Sequence, residues 1–439
     1  MKDQYIKLLK ELIKFKSIST DPQYKSEMKA TADWLVAYLK ENGLEAQLLE
    51  GKTTNPYVFG HYHVDDKAET VMIYGHYDVQ PAALEDGWKS EPFELTERDG
   101  RLYARGAIDN KGQFLIHMFT VVSLIKEGKL KYNVKFFIEG NEETGNEEIS
   151  ELLKSNKELL ATDYVMVSDG EISANRPTLD VGFRGLINFT IKYKSANNNL
   201  HSGLYGGAVP SATMELATLI SKFYGADNKV AIPGFYDGVD EVSADELENN
   251  KSIPFSMEEI TRITGVKTLK KEEEYDFYTQ TGLRPSLTVT GFKAGYTDEG
   301  YSNIVTANAF CKVNVRLVNS QDPKIVAQHI ESFIKKETPD YIDAEVSMDS
   351  LHPSIKIDRS SPKLQEVVDT MEKAYGDKVV YKFVGGGIPI INDFKNVMGI
   401  DTISASLANE DCNMHGVDEN FDLELVEKAL NFSQSFFTK

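Results

Sequence analysis

Three short apolar runs that each end at a glycine constrain the fold of this chain more than any other feature. TVMIYG reaches Gly75, VKFFIEG reaches Gly140 and DYVMVSDG reaches Gly170, and helical patterns of apolar residues lie between them near 111–127 and 147–160. Continuous apolar runs of this length are typical of strands that are buried on both faces. Their alternation with helices predicts an α/β domain with a mostly parallel sheet flanked by helices.

A change of pattern after residue 181 indicates a second domain. Long alternating strands follow, LINFTIKYK, PSLTVTGF and NIVTANAFCKVNVRLV, together with the helical segments SATMELATLISKFY and KIVAQHIESFIKK. The first pattern returns from about residue 354, with a helix at 362–375 and a closing helix from Leu423 that Asp422 can cap. We therefore predict one domain interrupted by an inserted α+β domain. The predicted boundaries are 1–181, 182–353 and 354–439.

Composition and charge exclude several classes of partner. Hydrophobic residues make up 41% and charged residues 26% of the 439 residues, which is typical of a folded globular protein. The 68 acidic residues outnumber the 48 basic ones, and the net charge of −20 repels nucleic acid and anionic membrane surfaces. The chain has two cysteines, no signal-like N-terminus and no run of 18 apolar residues. We therefore expect a cytoplasmic protein without nucleic-acid or membrane partners.

Histidines and carboxylates gather where the predicted strands end. GHYDVQP follows VMIY, EGNEETG follows VKFFI, SDGE follows DYVMV and ANEDCNMH follows DTISAS, while RGAIDNKG opens the helix near 111. Ligands of open α/β sheets bind at the carboxyl ends of the strands, so these side chains should meet at one edge. Imidazole and carboxylate are ligands for divalent metals. The candidate ligands are His76, Asp109, Glu143, Asp169 and His415.

This set of ligands predicts two metal ions rather than one. Five ligands are too many for one catalytic zinc, but they suit two ions if one carboxylate bridges them and water completes each site. Three carboxylates and a hydroxide would also balance the charge of two divalent ions. Glu142 and Glu143 are adjacent, and metal chemistry alone does not decide which of them binds.

Together with LHSGLYGG at 200–207, these motifs resemble the metallopeptidase family of carnosinases, cytosolic nonspecific dipeptidases, aminoacylases and acetylornithine or succinyl-diaminopimelate deacylases. The resemblance runs in order from about residue 70 to residue 420. It implies a zinc-peptidase-like catalytic domain with an inserted lid and dimerisation domain. It also implies two divalent metal ions per subunit, with Zn²⁺ expected and Mn²⁺ or Co²⁺ compatible with the same ligands.

The resemblance divides the roles within the metal site. It implies that Asp109 bridges the two ions, that His76 and Asp169 complete one site, and that Glu143 and His415 complete the other. Each side chain is assigned only by its place in the matching motif.

The resemblance also assigns residues that act beside the metals. Glu142 matches the general base, which takes a proton from the bridging water and passes it to the leaving amine. Asp78 matches an aspartate that orients the imidazole of His76 and raises its basicity. The family further implies a cis peptide bond between Asp109 and Asn110.

Substrate binding is assigned to the inserted domain. His201 resembles a histidine that reaches the active site of the partner subunit and stabilises the oxyanion, so the resemblance implies a homodimer. Arg316 and His352 match positions that hold the terminal carboxylate of the substrate. The glycine loop 385–387, with Gly386 at its centre, could bring backbone N–H groups to the same carboxylate.

The expected reaction is hydrolysis of the amide bond of a dipeptide. In this family an aspartate at the position of Asp169 is typical of dipeptidases and aminopeptidases. The sequence motifs LHSGLYGG and YDVQP favour the carnosinase and cytosolic dipeptidase group. An N-acyl amino acid deacylase would share every metal ligand and stays an alternative. A catalytically inactive metal-binding homologue is a further alternative, although the base and all five ligands are present.

Other histidine, cysteine and arginine side chains could bind a metal or a substrate, but we interpret them as structural residues. His61 lies on a short strand with an exposed face, and His117 is predicted to pack in the core. Cys412 precedes His415 by three residues, a spacing that zinc sites use, but the family does not use this cysteine. Arg184 in GFRG is interpreted as a hinge or domain-junction residue without a catalytic role.

Overall fold

The computed structural model describes three ranges of the chain: 1–318, 320–386 and 389–439. The chain divides into two compact units, each considered separately below. The first unit comprises Met1–Val181, Ile357–Lys382 and Ile390–Lys439. The second unit comprises Gly182–Lys356 and Phe383–Pro389. The short stretch Phe383–Pro389 thus belongs to the second unit, although the chain segments before and after it belong to the first. The sequence did not predict this assignment.

The secondary structure consists of eighteen strands and thirteen α-helices in the described ranges. The strands are β1 (Glu45–Leu49), β2 (Tyr57–Tyr62), β3 (Thr70–His76), β4 (Thr96–Arg98), β5 (Arg101–Tyr103), β6 (Asn133–Glu139), β7 (Tyr164–Val167), β8 (Thr178–Phe183), β9 (Gly185–Lys194), β10 (Leu200–His201), β11 (Ser286–Ala294), β12 (Ile304–Val305), β13 (Asn308–Leu317), β14 (Asp343–His352), β15 (Ile355–Lys356), β16 (Val380–Val384), β17 (Asp401–Ser406) and β18 (Asn420–Asp422). The helices are α1 (Lys2–Ile13), α2 (Lys25–Glu41), α3 (Lys111–Glu127), α4 (Ile149–Ser155), α5 (Ser202–Tyr205), α6 (Ala212–Ser221), α7 (Ala244–Ser252), α8 (Met257–Thr264), α9 (Phe277–Gly282), α10 (Pro323–Glu337), α11 (Pro362–Tyr375), α12 (Pro389–Asp393) and α13 (Leu423–Phe437).

The first unit is built on a mixed sheet with a parallel centre. Its strand order is β1-β2-β6-β3-β7-β17-β8. The four central strands, β6, β3, β7 and β17, are parallel, whereas β1, β2 and β8 join antiparallel at the two sides. Three of these strands, β3, β6 and β7, are the apolar runs from which the sheet was predicted, and all four are almost fully buried. The predicted α/β class is confirmed, with its parallel part confined to the centre.

Helices that flank this sheet follow the sequence pattern closely. α3 occupies the predicted range and is buried almost all round, as expected for a helix that is apolar on every side. The carboxylate of Asp422 caps α13, accepting hydrogen bonds from Glu424 N (2.8 Å) and Leu425 N (3.3 Å). α4 is shorter than predicted because the Asn156 amide bonds to the carbonyl of Leu152 and ends the helix. No helix in the described ranges combines the length and apolar character that a membrane span requires.

The second unit contains an antiparallel sheet in the order β11-β13-β9-β14. Alternate residues of its strands, such as Ile187 and Val315, form a buried core with α6 and α10, so the helices cover one face. The run 303–318, predicted as one strand, is divided into β12 and β13. Thr306 lies at the break because its carbonyl and hydroxyl accept hydrogen bonds from the first N–H groups of α6, at Ala212 (3.0 Å) and Thr213 (3.2 Å).

Candidate metal centre

The parallel centre of the first sheet brings five side chains together at the ends of its strands. β3 ends at His76, Asp109 directly precedes the first turn of α3, and the remaining three follow β6, β7 and β17. They form two groups in which the ligand atoms all lie within 4.8 Å of one another. The groups are His76, Asp109 and Asp169, and Asp109, Glu143 and His415. Asp109 belongs to both groups, so its two carboxylate oxygens can serve two ions.

The first group is organised around the imidazole of His76, which is fully buried. Its Nε2 lies 3.1 Å from Asp109 Oδ1 and 3.6 Å from Asp169 Oδ2. Nε2 nevertheless makes no hydrogen bond with any described residue. The other ring nitrogen, Nδ1, lies 3.0 Å from the carbonyl of Asp78. Nitrogen and oxygen atoms that converge without hydrogen-bonding geometry fit ligands arranged around a cation.

The second group joins residues from the turns after β6 and β17. His415 Nε2 lies 2.8 Å from Asp109 Oδ2 and 3.2 Å from Glu143 Oε2. Glu143 Oε1 is buried and has no hydrogen-bond partner among the described residues. Gln80 Nε2 donates to the other oxygen of Glu143 at 2.7 Å and thereby fixes the carboxylate. His415 has a backbone φ of +59°, so the turn that presents it is left-handed.

The electrostatic field of the cluster strongly favours bound cations. Burial opposes protonation of His76, but Asp169 and its neighbouring carboxylates raise the pKa of this imidazole well above its usual value. Asp109 and Glu143 raise the pKa of His415 to about 10. Burial would raise the pKa of Asp109, yet the neighbouring imidazoles of His415 and His76 hold it below its usual range. Divalent metal ions compete with protons for the same imidazole nitrogens, so this field suits a metal site.

Asp78 links the imidazole of the first group to the turn that carries the second. Its carboxylate oxygen Oδ1 lies 3.3 Å from His76 Nδ1 and accepts a hydrogen bond from Glu142 N (3.3 Å). Its Oδ2 accepts hydrogen bonds from Glu143 N (3.1 Å) and from the hydroxyl of Ser19 (2.7 Å). Asp78 is fully buried, so these bonds are shielded from water.

Glu142 differs from its neighbour Glu143 in position and in environment. It belongs to neither group of candidate ligands among the described residues. Burial raises the pKa of the Glu142 carboxyl well above its usual value, and the charge of Asp169 adds to this effect although His76 opposes it. A carboxyl group with a raised pKa beside a set of candidate metal ligands is suited to proton transfer.

Asn110 is a buried residue of the site that sequence reasoning missed. Its Oδ1 accepts a hydrogen bond from His76 N (3.2 Å), and its Nδ2 donates to Asp169 Oδ1 (2.8 Å) and to the Ser168 carbonyl (2.6 Å). The side chain therefore ties together the ends of β3 and β7. The expected cis peptide bond between Asp109 and Asn110 is present. The only indication in the sequence that the Asn110 side chain belongs to the site was the position of Asn110 directly after the candidate ligand Asp109.

A buried ion pair between Arg105 and Glu419, which was not predicted from the sequence, contacts two loops that carry candidate ligands. Glu419 accepts four hydrogen bonds: from Arg105 Nη1 (2.7 Å) and from the backbone N–H groups of Gly106 (3.0 Å), Ile108 (2.9 Å) and Asp109 (3.2 Å). Nη2 of Arg105 donates to the carbonyls of His415 (3.1 Å) and Gly416 (3.2 Å). One ion pair thus fastens the loop of Asp109 to the turn of His415.

The remaining candidates of the first unit lie outside the two groups. Cys412 donates its thiol hydrogen bond to Glu171 Oε1 at 3.0 Å and belongs to neither group in the described ranges. His117 is buried in the core between the hydroxyls of Ser433 (3.1 Å) and Ser168 (2.9 Å), as predicted.

The predicted substrate-binding residues belong to the second unit. Arg316 on β13 and His352 on β14 both lie directly opposite Leu186 of β9, so they share one face of the sheet with a single strand between them. His201 on β10 is exposed, and its Nδ1 accepts a hydrogen bond from Gly203 N (3.1 Å). Gly386 is described, whereas Gly387 of the predicted glycine loop lies outside the described residues.

Similarity to known proteins extends over nearly the whole chain. A sequence model of "Peptidase family M20/M25/M40" matches residues 72–439. The Beta-Ala-His dipeptidase of Rattus norvegicus is 30% identical, over 76% of this chain and 72% of that protein. The Cysteinylglycine-S-conjugate dipeptidase of Corynebacterium striatum is 29% identical, over 95% of this chain and 91% of that protein. The crystal structure of the M20 family metallo-carboxypeptidase Sso-CP2 from Sulfolobus solfataricus aligns with a TM-score of 0.88 at 29% identity, covering 99% of this chain and 98% of that one.

Proposed function

Because this chain belongs to peptidase family M20/M25/M40, we propose that it is a metal-dependent dipeptidase with two divalent ions in each subunit. The observation that carries this proposal is the pair of ligand groups that share Asp109. Two relatives of similar length carry dipeptidase names, which favours a dipeptide as the substrate.

The residues present fit the proposed metal pair. His76 Nε2 and Glu143 Oε1 are buried without hydrogen bonds to any described residue, so each has a free electron pair. Nitrogen and carboxylate oxygen donors suit Zn²⁺, and Mn²⁺ or Co²⁺ would accept the same set. When bound, the two ions supply the Lewis acidity that makes water nucleophilic at neutral pH and polarises the amide carbonyl.

The protein side chains around the metals then divide the remaining work. Glu142 takes a proton from the attacking water and delivers it to the leaving amine, a role to which its raised pKa is suited. Asp78 keeps the imidazole of His76 oriented and holds the backbone of the Glu142 turn. These contacts fix the distance between the base and the ligand cluster before substrate binds.

The second unit supplies substrate binding in this proposal. Arg316 and His352, on one face of the sheet, hold the terminal carboxylate of the dipeptide, together with backbone N–H groups near Gly386. His201 acts on the oxyanion in the active site of a partner subunit, which makes the working enzyme a homodimer. Its exposed position on β10 is compatible with contact to a second copy.

The role of the base is tested by Glu142→Gln, with Glu147→Gln as a matched control on an exposed carboxylate in the same segment. Glu142→Gln should keep two metal ions per chain, measured by elemental analysis, and lose about 10²–10⁴-fold in turnover of dipeptides. Glu147→Gln should keep both metals and full activity. Near-normal turnover by Glu142→Gln would overturn the assignment of the base.

The substrate class is tested by comparing dipeptides with N-acetyl amino acids on the metal-loaded enzyme. A dipeptidase hydrolyses the first set faster, whereas a preference for the acetylated set would identify a deacylase. Activity on neither set by protein that contains both metals would identify an inactive metal-binding homologue.

The proposed dimer is tested by mixing two inactive variants, His201→Ala and Glu142→Gln. If His201 acts across the interface, hybrid dimers contain one complete site and activity returns on mixing. A mixture that stays inactive while sedimentation shows exchanged dimers would contradict the role of His201 in the partner subunit.

A further inference from the structure

The face of the second-unit sheet that is turned away from α6 and α10 has acidic side chains at one end, Glu345 and Asp343, and none in the rows around Arg316 at the other. Two neighbouring rows of side chains lie on it, given by the registers of β11, β13, β9 and β14. The first row is Ser286, Arg316, Leu186 and His352, and the second is Thr288, Asn314, Asn188 and Ser350. Neither row contains a carboxylate, in a chain where acidic residues outnumber basic ones by 68 to 48. In these two rows an anionic ligand would meet no repulsion from a carboxylate.

A second guanidinium, that of Arg184, lies over the first of these rows. Its Nη1 lies 3.3 Å from the hydroxyl of Ser286, which is the direct cross-strand neighbour of Arg316. Its Nε donates to the carbonyl of Gly385 at 3.0 Å, which fixes the plane of the guanidinium. Two arginines therefore flank a single serine on the same face of the sheet.

Neither arginine has a counter-ion within the described part of the chain. The nearby Arg284 is different, since Glu272 accepts hydrogen bonds from its guanidinium at 3.2 and 3.1 Å. Burial and the charge of Arg316 lower the pKa of Arg184 to about 10, so Arg184 stays charged at neutral pH. Two partly buried cations without an anion between them are unfavourable unless a ligand supplies the missing charge.

A substrate with one carboxylate leaves one of these cations uncompensated. The terminal carboxylate of a dipeptide matches the fork of one guanidinium together with His352. The side chain of the same C-terminal residue would then lie near the second guanidinium, because both arginines adjoin Ser286. A side-chain carboxylate at that position would make a charge-assisted hydrogen bond, whereas a neutral side chain would leave the cation unpaired.

We propose that Arg184 and Arg316 together form a site for a C-terminal residue with two carboxylates, so that the enzyme prefers dipeptides ending in aspartate or glutamate. This inference rests on the proposed function, in which Arg316 and His352 hold the terminal carboxylate. It assigns to Arg184 the selection of the C-terminal side chain.

The test compares kcat/KM of the metal-loaded enzyme for Ala-Asp and Ala-Asn, which differ in charge but hardly in shape. The wild-type ratio of Ala-Asp to Ala-Asn should be about tenfold or more, the range expected for one charge-assisted hydrogen bond. Arg184→Gln should reduce this ratio to about one. Arg184→Lys keeps the charge and should retain a clear part of the ratio. Arg359→Gln, which alters an arginine that contacts Tyr381 in the first unit, should leave the ratio at its wild-type value.

Three results would overturn the inference. The first is a wild-type ratio near one, and the second is an equal loss on both peptides in Arg184→Gln. The third is complete loss of the ratio in Arg184→Lys, which would mean that Arg184 only holds the turn at Gly385. Failure of the proposed function is recognised separately, because Arg316→Gln should raise KM at least tenfold for both peptides. An unchanged KM in that variant would refute the role of Arg316 itself.

Discussion

The ion pair between Arg105 and Glu419 leads to a strong prediction about stability. Both side chains are almost completely buried, with side-chain exposures of 4% and 0%. Burial raises the pKa of Glu419 above its usual value even though Arg105 opposes this effect, so removing the carboxylate from water is costly. Replacing one partner alone leaves the other charge buried without compensation. We expect Arg105→Met and Glu419→Gln each to lower the free energy of unfolding by about 3–5 kcal/mol.

The double variant separates the interaction from the other contacts of the two side chains. When both charges are absent no unpaired ion remains, and the amide oxygen introduced by Glu419→Gln can still accept from part of the backbone N–H groups around Gly106 and Asp109. The double variant should therefore lose less than the sum of the single variants, with a coupling energy of about 2 kcal/mol or more. All variants should also weaken divalent metal binding about 10–100-fold, since the pair holds the loops of Asp109 and His415.

Urea unfolding of the metal-free protein, followed by tryptophan fluorescence, measures these energies. The two tryptophans of the chain, Trp34 and Trp88, both belong to the first unit, so the signal reports the unit that contains the pair. Trp88 also lies 5.4 Å from the guanidinium of Arg105. The exposed pair Lys14 and Glu11 is a matched control, and Glu11→Gln should cost at most about 1 kcal/mol. A loss below about 1 kcal/mol in Arg105→Met, or a coupling energy near zero, would refute the reasoning.

Three further predictions concern single residues of the first unit. Burial lowers the pKa of His117 to about 4, so in the window from about 6.5 to 4 the unfolded state binds the extra proton and stability falls as the pH falls. His117→Gln should remove up to about 3 kcal/mol of this dependence in urea unfolding measured against pH. Gly75→Ala should cost about 1–3 kcal/mol and weaken metal binding in calorimetric titration, because its Cβ would lie 2.6 Å from both Asn110 Oδ1 and Phe114 Cβ. Asp422→Ala should cost about 1 kcal/mol in urea unfolding through loss of the cap of α13, and Asp422→Asn should cost less.

Each of these predictions has an outcome that contradicts it. An unchanged pH profile in His117→Gln would show that its burial has no energetic consequence. Wild-type stability and metal affinity in Gly75→Ala would mean that the end of β3 can move away from Asn110. Equal losses in the alanine and asparagine variants of Asp422 would exclude capping by the side-chain oxygen.

Much of the first unit could be predicted because its elements depend on local patterns. β3, β6 and β7 are largely apolar runs, and α3, α11 and α13 have helical periodicity with clear ends. The family resemblance that rested on the motifs at their ends is confirmed by the match over residues 72–439. The division of the run 303–318 could not be predicted, because Thr306 interrupts the strand only by bonding to α6, which is distant in sequence.

The candidate metal ligands were recognisable because the ends of parallel strands converge, whatever the loops do. The residues that support these ligands could not be recognised from the sequence. A sequence does not distinguish a buried glutamate such as Glu419 from an exposed one, and the partners of Glu419 come from distant loops. The same holds for Arg184, whose partners Gly385 and Ser286 lie 201 and 102 residues away along the chain. Of the adjacent residues Glu142 and Glu143, only Glu143 belongs to a candidate ligand group in the described ranges, a difference that composition does not encode.

The wide separation of the five clustered side chains along the chain has a consequence for the order of folding. They extend from His76 to His415, and α13 follows after the last of them. A nascent chain that is synthesised from its N-terminus contains four of the five long before the fifth is made. The complete cluster can therefore form only after almost the whole chain has been synthesised. Binding of a pair of ions is thus an event of the finished polypeptide. A chain that ends after residue 410 keeps the segment of β17 but lacks His415, so it should not bind the pair.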